Sequence, residues 1–121
     1  MANTVLLIED EPHIVEALSF LLTREGWNVA THSDGQNAVS KVLDIMPILV
    51  VLDVMLPNKG GMEILHDIRN QTAISKIPVL MLTAKGQQRD RQAAEEAGVS
   101  LFMTKPFSNQ KIVENIRKLV S

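Results

Sequence analysis

Apolar residues along this chain form short uninterrupted runs, separated by longer stretches in which they recur every three or four positions. The runs are Val5-Leu6-Leu7-Ile8, the region of Val29, Ile48-Leu49-Val50-Val51-Leu52, Val79-Leu80-Met81-Leu82 and Leu101-Phe102-Met103. Three are continuous rather than alternating, the pattern of strands covered on both faces, as in a parallel sheet. The intervening stretches carry helical stripes. Ile14, Leu18, Leu21 and Leu22 make the first, Ile64, Leu65 and Ile68 a shorter one, and Ile112, Val113, Ile116, Leu119 and Val120 the last. The stretch from Gln87 to Ala97 is weaker, with Ala93, Ala94 and Ala97 as its small-residue face. Pro12 suits a first helical turn, and Gly26 and Gly98 stand where helices should stop. Pro47 and Pro78 each break the chain before an apolar run.

Five runs alternating with five helical stretches predict an α/β domain: a doubly wound parallel sheet with right-handed crossovers and helices on both faces. The expected strand order is 2-1-3-4-5, the flavodoxin-like (βα)5 arrangement. In such sheets the ligand site lies beyond the carboxyl ends of the strands, at the switch point between strands 1 and 3. The residues standing at those ends therefore carry the functional argument. The first strand runs into Glu9-Asp10-Glu11, the third into Asp53, the fourth into Thr83-Ala84 and the fifth into Lys105-Pro106.

Composition narrows the possibilities. The 121 residues suffice for one core, so residues 1–121 are expected to form a single domain. An apolar content of 45% predicts a packed globule rather than disorder. The net charge of −2 gives no electrostatic case for nucleic acid or a membrane surface. With no cysteine, disulfides and thiolate metal sites are excluded, which fits a reducing cytoplasm. No apolar run approaches the roughly 20 residues of a membrane span, and the N-terminus lacks the features of a signal peptide. His13, His32 and His66 are too scattered to predict a histidine metal site.

The chemistry of the strand-end set is coherent. Clustered carboxylates repel one another and raise each other's pKa unless a cation joins them. A hard divalent cation, most naturally Mg²⁺, takes oxygen ligands and retains waters. Asp10 and Asp53 are expected to bind it directly, and the longer Glu9 through a water or from slightly further away. Asp53, sheltered behind five apolar residues, is the candidate nucleophile for a phosphorus atom. Lys105 is placed to stabilise charge on the transferred oxygens, and Thr83 to donate a hydrogen bond to the new phosphoryl group. Taken singly, Asp10 could be a helix cap, Lys105 a solvated lysine and Thr83 a turn residue. Four strand ends converging on one rim argue against that reading of the whole set.

The segments VLLIEDE at 5–11, VVLDVMLPNKGG at 50–61, VLMLTA at 79–84 and FMTKPF at 102–107 together resemble the receiver domains of two-component response regulators. Their order and spacing match across nearly the whole chain. The resemblance implies a phosphoacceptor rather than a turnover enzyme. Asp53 then takes the phosphoryl group, Glu9 and Asp10 hold Mg²⁺, and the backbone carbonyl of Met55 is a third protein ligand. Thr83 is the hydroxyl that moves toward the phosphoryl group, Lys105 pairs with that group, and Phe102 is the switch aromatic that turns inward. The Lys105-Pro106 bond is similar to one that is cis in the family. The implied donor is a sensor histidine kinase or a histidine phosphotransfer protein, docking near Val15, Pro106 and Phe107. The implied output is the face of the fourth helix, fifth strand and fifth helix, where Arg89, Arg91 and Leu101 are expected to form a mixed patch. The sequence departs from the family at Glu9, where Asp is frequent, and at Gly60, where a small acid is usual. Val99-Ser100-Leu101 lacks the acids of the winged-helix regulators' dimer pattern. A monomer or weak dimer with a heterologous partner is therefore expected.

Three other readings fit less well. A flavodoxin-like phosphate binder needs a Gly/Ser/Thr-rich loop where Glu9-Asp10-Glu11 stands. A haloacid-dehalogenase-type phosphatase needs an Asp where Met55 stands. A degenerate receiver used only for interaction would lack one of Asp53, Thr83 and Lys105. Because the chain closes soon after the fifth helical stripe, the expectation is a receiver without an effector domain, either free-standing or a fragment of a larger transcription regulator or hybrid kinase.

Overall fold

The computed structural model describes residues 3–83 and 88–121, and, within that span, every side chain except those of residues 88 and 89. Five strands alternate with five helices: β1 (Thr4–Ile8), α1 (Pro12–Arg24), β2 (Asn28–His32), α2 (Ala38–Ile45), β3 (Leu49–Asp53), α3 (Gly61–Asn70), β4 (Val79–Thr83), α4 (Gln88–Glu96), β5 (Leu101–Thr104) and α5 (Asn109–Val120). The strands form one parallel sheet in the order β2-β1-β3-β4-β5. The fold is flavodoxin-like, as the strand-and-helix pattern predicts.

The uninterrupted apolar runs serve two cores at once. Alternate strand residues Leu6, Ile8, Val50, Leu52, Val79 and Met81 point to a core closed by α2, α3 and α4. Their neighbours Val5, Leu7, Leu49, Val51, Leu80 and Leu82 point to a second core closed by α1 and α5. A side-chain period of two with both faces covered leaves no polar position inside these strands. All twelve of these residues are fully buried, each worth about 1.5–3 kcal/mol of transfer free energy.

The helix boundaries follow local chemistry. Pro12 occupies the first turn of α1, where its missing N–H costs nothing. Gly26 and Gly98, just beyond α1 and α4, have φ of 102° and 93°, a region that favours residues without a Cβ. The Ser108 side chain caps α5 by accepting from the Lys111 N–H at 3.0 Å. In α4 the expected small-residue face is narrower than three alanines. Ala94 is buried and Ala97 packs against the core, but Ala93 is exposed. At about 100° per residue Ala97 falls between Ala94 and Ala93 around the helix axis, so burial declines from Ala94 through Ala97 to Ala93. Among the described residues no helix is long and apolar enough to cross a membrane.

Candidate functional site

The carboxyl ends of β1, β3 and β5 open into a cleft lined by Glu9, Asp10, Glu11, Pro12, Asp53, Met55 and Lys105. Sheet register accounts for the convergence. Ile8 lies beside Leu52, Asp53 beside Leu82, and Leu82 beside Met103, so β1, β3 and β5 end at nearly the same height. Beyond β1, the Glu9 N–H still donates to the His32 carbonyl at 3.0 Å. That bond continues the strand pairing by one residue and keeps Glu9 in the alternation that turns it inward. Glu9 is 1% exposed and Asp53 5%, whereas Asp10 is exposed.

One carboxylate oxygen from each of Glu9, Asp10 and Asp53 can be chosen so that all three lie within 4.8 Å of one another. The Lys105 ammonium lies 3.2 Å from Glu9 Oε1 and donates a 3.4 Å hydrogen bond to Asp53 Oδ1. The Glu11 N–H donates to Glu9 Oε2 at 3.2 Å. The contact between Lys105 and Glu9 Oε1 is an ion pair without hydrogen-bond geometry, so this buried oxygen has no hydrogen-bond partner among the described residues. Burial holds both carboxyls above their ordinary range. For Glu9, desolvation is the larger cause and the neighbouring Asp53 charge adds to it, against the Glu11 N–H and Lys105. For Asp53, desolvation outweighs the attraction of Lys105. Glu9, Asp10 and Asp53 outnumber the single Lys105 ammonium, and Glu11 adds a fourth carboxylate to the cleft wall. Clustered carboxylate oxygens, one of them buried and without a hydrogen bond among the described residues, fit a hard divalent cation.

Thr83 closes β4, and its buried Oγ1 likewise has no hydrogen-bond partner among the described residues. The Lys105 N–H donates to the Thr83 carbonyl at 2.7 Å, linking the last residue of β4 to the turn after β5. The Lys105–Pro106 peptide bond is cis. Ala84 lies outside the described residues.

The sequence marks five of the seven cleft residues as site residues (Glu9, Asp10, Asp53, Met55 and Lys105) and leaves Pro12 only as the start of a helix. It gives no site role to Glu11, whose N–H steadies Glu9. Their position, immediately after Asp10 and at the start of α1, was the available signal.

Two side chains named for surface or switch roles lie deeper than those roles suggest. The Phe102 ring is inside in this structure, 7% exposed, with the Arg91 guanidinium 6.0 Å from its centroid. The ring belongs to the same buried cluster as Ala94 of α4. Val15 was expected as an exposed apolar group beside the cleft. It is half-buried and packs with Ile14 and Phe107 against the α1–α5 core. The apolar stripe of α1 is therefore wider than the four residues that defined it. Arg91 pairs with Glu95 at 3.6 Å, while the side chain of Arg89 lies outside the described residues.

The family model described as "Response regulator receiver domain" matches residues 5–117. The chain belongs to this family. It is a receiver domain of a two-component response regulator, a phosphoacceptor rather than a turnover enzyme. This receiver is 43% identical over 117 residues to the "Probable transcriptional regulatory protein TcrX" of Mycobacterium tuberculosis, a match covering 97% of the chain and 49% of that protein. It is 38% identical over 120 residues to the alkaline phosphatase synthesis transcriptional regulatory protein PhoP of Bacillus subtilis, covering 99% and 49%. The chain thus spans about half the length of the curated relatives it matches. Among solved structures, the beryllofluoride-activated N-terminal receiver domain of Klebsiella pneumoniae RstA superposes with a TM-score of 0.91 at 25% identity, covering 98% of both chains. The receiver domain of a histidine kinase from Syntrophus aciditrophicus gives 0.90 at 28%, covering 98% of this chain and 90% of that one.

Proposed function

We propose that Asp53 accepts the phosphoryl group in this receiver, with Mg²⁺ held by Glu9, Asp10, Asp53 and the backbone carbonyl of Met55. The supporting observation is the convergence of three carboxylates and one ammonium on a single cleft, where the buried Glu9 Oε1 is ion-paired with Lys105 but has no hydrogen bond among the described residues. When bound, the cation neutralises the clustered carboxylates and the charge on the transferred oxygens. Asp53 Oδ forms the new bond to phosphorus as the bond from phosphorus to the donor breaks, and the donor leaves with the electron pair. Lys105, already 3.4 Å from Asp53, turns to an oxygen of the transferred group. Thr83 Oγ1 supplies a hydroxyl donor to the same group.

Residues 1–121 act as one receiver unit in the cytoplasm. The donor is a sensor histidine kinase or a histidine phosphotransfer protein, and the output surface is the face of α4, β5 and α5. Both curated relatives are transcriptional regulatory proteins about twice as long, which favours a transcriptional output for the protein this receiver serves. The unit itself is a monomer or weak dimer, because Val99-Ser100-Leu101 offers no acids for a symmetric ion-pair network.

Incubation with acetyl phosphate and Mg²⁺, followed by intact-mass measurement, should show one phosphoryl adduct. Asp53→Asn should show none. An equal adduct on that variant would remove Asp53 from this role.

A further inference from the structure

The backbone segment from Asp53 to Gly61 carries both the phosphoacceptor and the Met55 carbonyl, so its position decides the geometry of the cleft. Its start is tied to the sheet: the Val54 N–H donates to the Leu82 carbonyl at 2.9 Å. Its end closes on itself, the Gly61 N–H donating to the Val54 carbonyl at 2.8 Å. Between these ties, Met55 is 68% exposed and receives little from side-chain packing. Among the described residues, one backbone hydrogen bond reaches residues 55–59 from a different element. The Gly35 N–H, in the loop between β2 and α2, donates to the Pro57 carbonyl at 2.9 Å.

That bond requires a glycine. A Cβ at position 35 would lie 1.7 Å from the Lys59 carbonyl oxygen and 2.5 Å from its carbonyl carbon. Both are backbone atoms, which no rotamer change can move aside. Lys59 cannot retreat freely, since its N–H donates to the Pro57 carbonyl at 2.8 Å and its ammonium pairs with Asp67 of α3. Gly35 itself is buried and held in its turn by Asp34, whose Oδ1 accepts from the Gln36 N–H at 2.8 Å.

We infer that Gly35 is a positioning residue for the phosphoacceptor site, seating the Pro57–Lys59 backbone at the height that presents the Met55 carbonyl to the cation. The inference rests on the function proposed above. Gly35 touches neither the cation nor the phosphoryl group and acts only through the neighbouring loop. Its substitution should therefore weaken cation binding while leaving the chemistry of a filled site largely intact.

The test is Gly35→Ala in the same 121-residue chain, with Mg²⁺ titrated by NMR amide shifts and by the rate of acetyl-phosphate labelling. The expected result is a rise of five- to twentyfold in the Mg²⁺ concentration for half-saturation, with a labelling rate at saturating Mg²⁺ within about threefold of wild type. Unchanged half-saturation in a folded variant of lower Tm would overturn the inference, since the β2–α2 loop alone would then have given way. If Gly35→Ala does not fold, Asp34→Ala decides, because it loosens the turn without adding an atom to the contact. A two- to threefold rise in half-saturation supports the inference and no rise overturns it. The NMR titration does not depend on labelling, so failure of wild type to label would count against Asp53 as phosphoacceptor and not against Gly35.

Discussion

At the scale of single residues, the cleft holds charge that the fold alone does not satisfy. Asp53 and Glu9 are both buried, and both are held above their ordinary pKa chiefly by desolvation. For an acid whose folded pKa is raised, the cost to stability is absent below the unfolded value, here the ordinary 3.8 of Asp53, and grows as pH rises toward the folded value. Asp53→Asn should therefore stabilise the cation-free protein at pH 7. The advantage should vanish below about pH 4, where the wild-type carboxyl is protonated in both states. Urea unfolding in EDTA at the two pH values reads both halves of this. Equal stability at pH 7 would mean that Lys105, 3.4 Å away, offsets the whole burial cost. The identities of these residues were legible in the sequence because acids and a lysine ended apolar runs at a sheet's carboxyl edge. Their ranking by burial was not. Side-chain length suggested that Glu9 stands back from the centre, yet its N–H extends the pairing with β2 and turns it inward, leaving Asp10 outside. Strand length to one residue is set by pairing across the sheet, which a single strand's composition does not encode.

At the scale of elements, the continuous strands and the stripes of α1, α3 and α5 could be read directly, because two covered faces and a 3.6-residue period leave strong marks. α2 could not be read as a stripe. It has eight residues, only Ala38 and Val42 are buried, and both flanking residues, Asn37 and Met46, are left-handed. α4 was legible as a helix but not in its contacts, and this bears on the switch. In this structure the Phe102 ring lies inside, in the core that also holds Ala94 of α4, with Arg91 above it. Phe102→Ala should cost about 3–5 kcal/mol, the range for a buried phenylalanine. Arg91→Ala should cost under about 1 kcal/mol, since a half-exposed cation over a ring contributes little. Urea midpoints with unchanged m-values would check both figures. A cost below about 1 kcal/mol for Phe102→Ala would show that the ring contributes little to the core and is free to leave it.

At the scale of the whole molecule, the two ends of the sheet are built differently. The carboxyl end gathers carboxylates, and its buried Glu9 Oε1 and Thr83 Oγ1 have no hydrogen bond among the described residues. The amino ends of β4 and β5 are closed by Arg69, from the last turn of α3. Its guanidinium donates to the Gly98 carbonyl at 2.8 Å, to Ser75 and Ile77 carbonyls at 3.1 and 2.7 Å, and to Ser100 Oγ at 3.4 Å. Ser100 Oγ in turn accepts from the Val79 N–H at 3.0 Å. One side chain thus joins α3, the loop before β4 and the turn between α4 and β5. No carboxylate answers its charge among the described residues, and burial lowers its pKa, so the neutral acceptors bear the whole of its hydrogen bonding. Nothing in the sequence announced this. The partners are mostly backbone carbonyls up to 29 positions away, and a carbonyl oxygen has no sequence signature. Hydrogen bonds to a charged donor contribute about 1.5–3 kcal/mol each at most, and they are not additive in a half-exposed cluster. Arg69→Met, which keeps much of the aliphatic stem, should therefore cost about 2–3 kcal/mol. It should also raise amide hydrogen exchange at Gly98, Val99 and Ser100 while leaving that of β1 and β3 unchanged relative to global stability. Uniform acceleration across the sheet would show that Arg69 supports the molecule as a whole; selective acceleration identifies it as the clamp of one end.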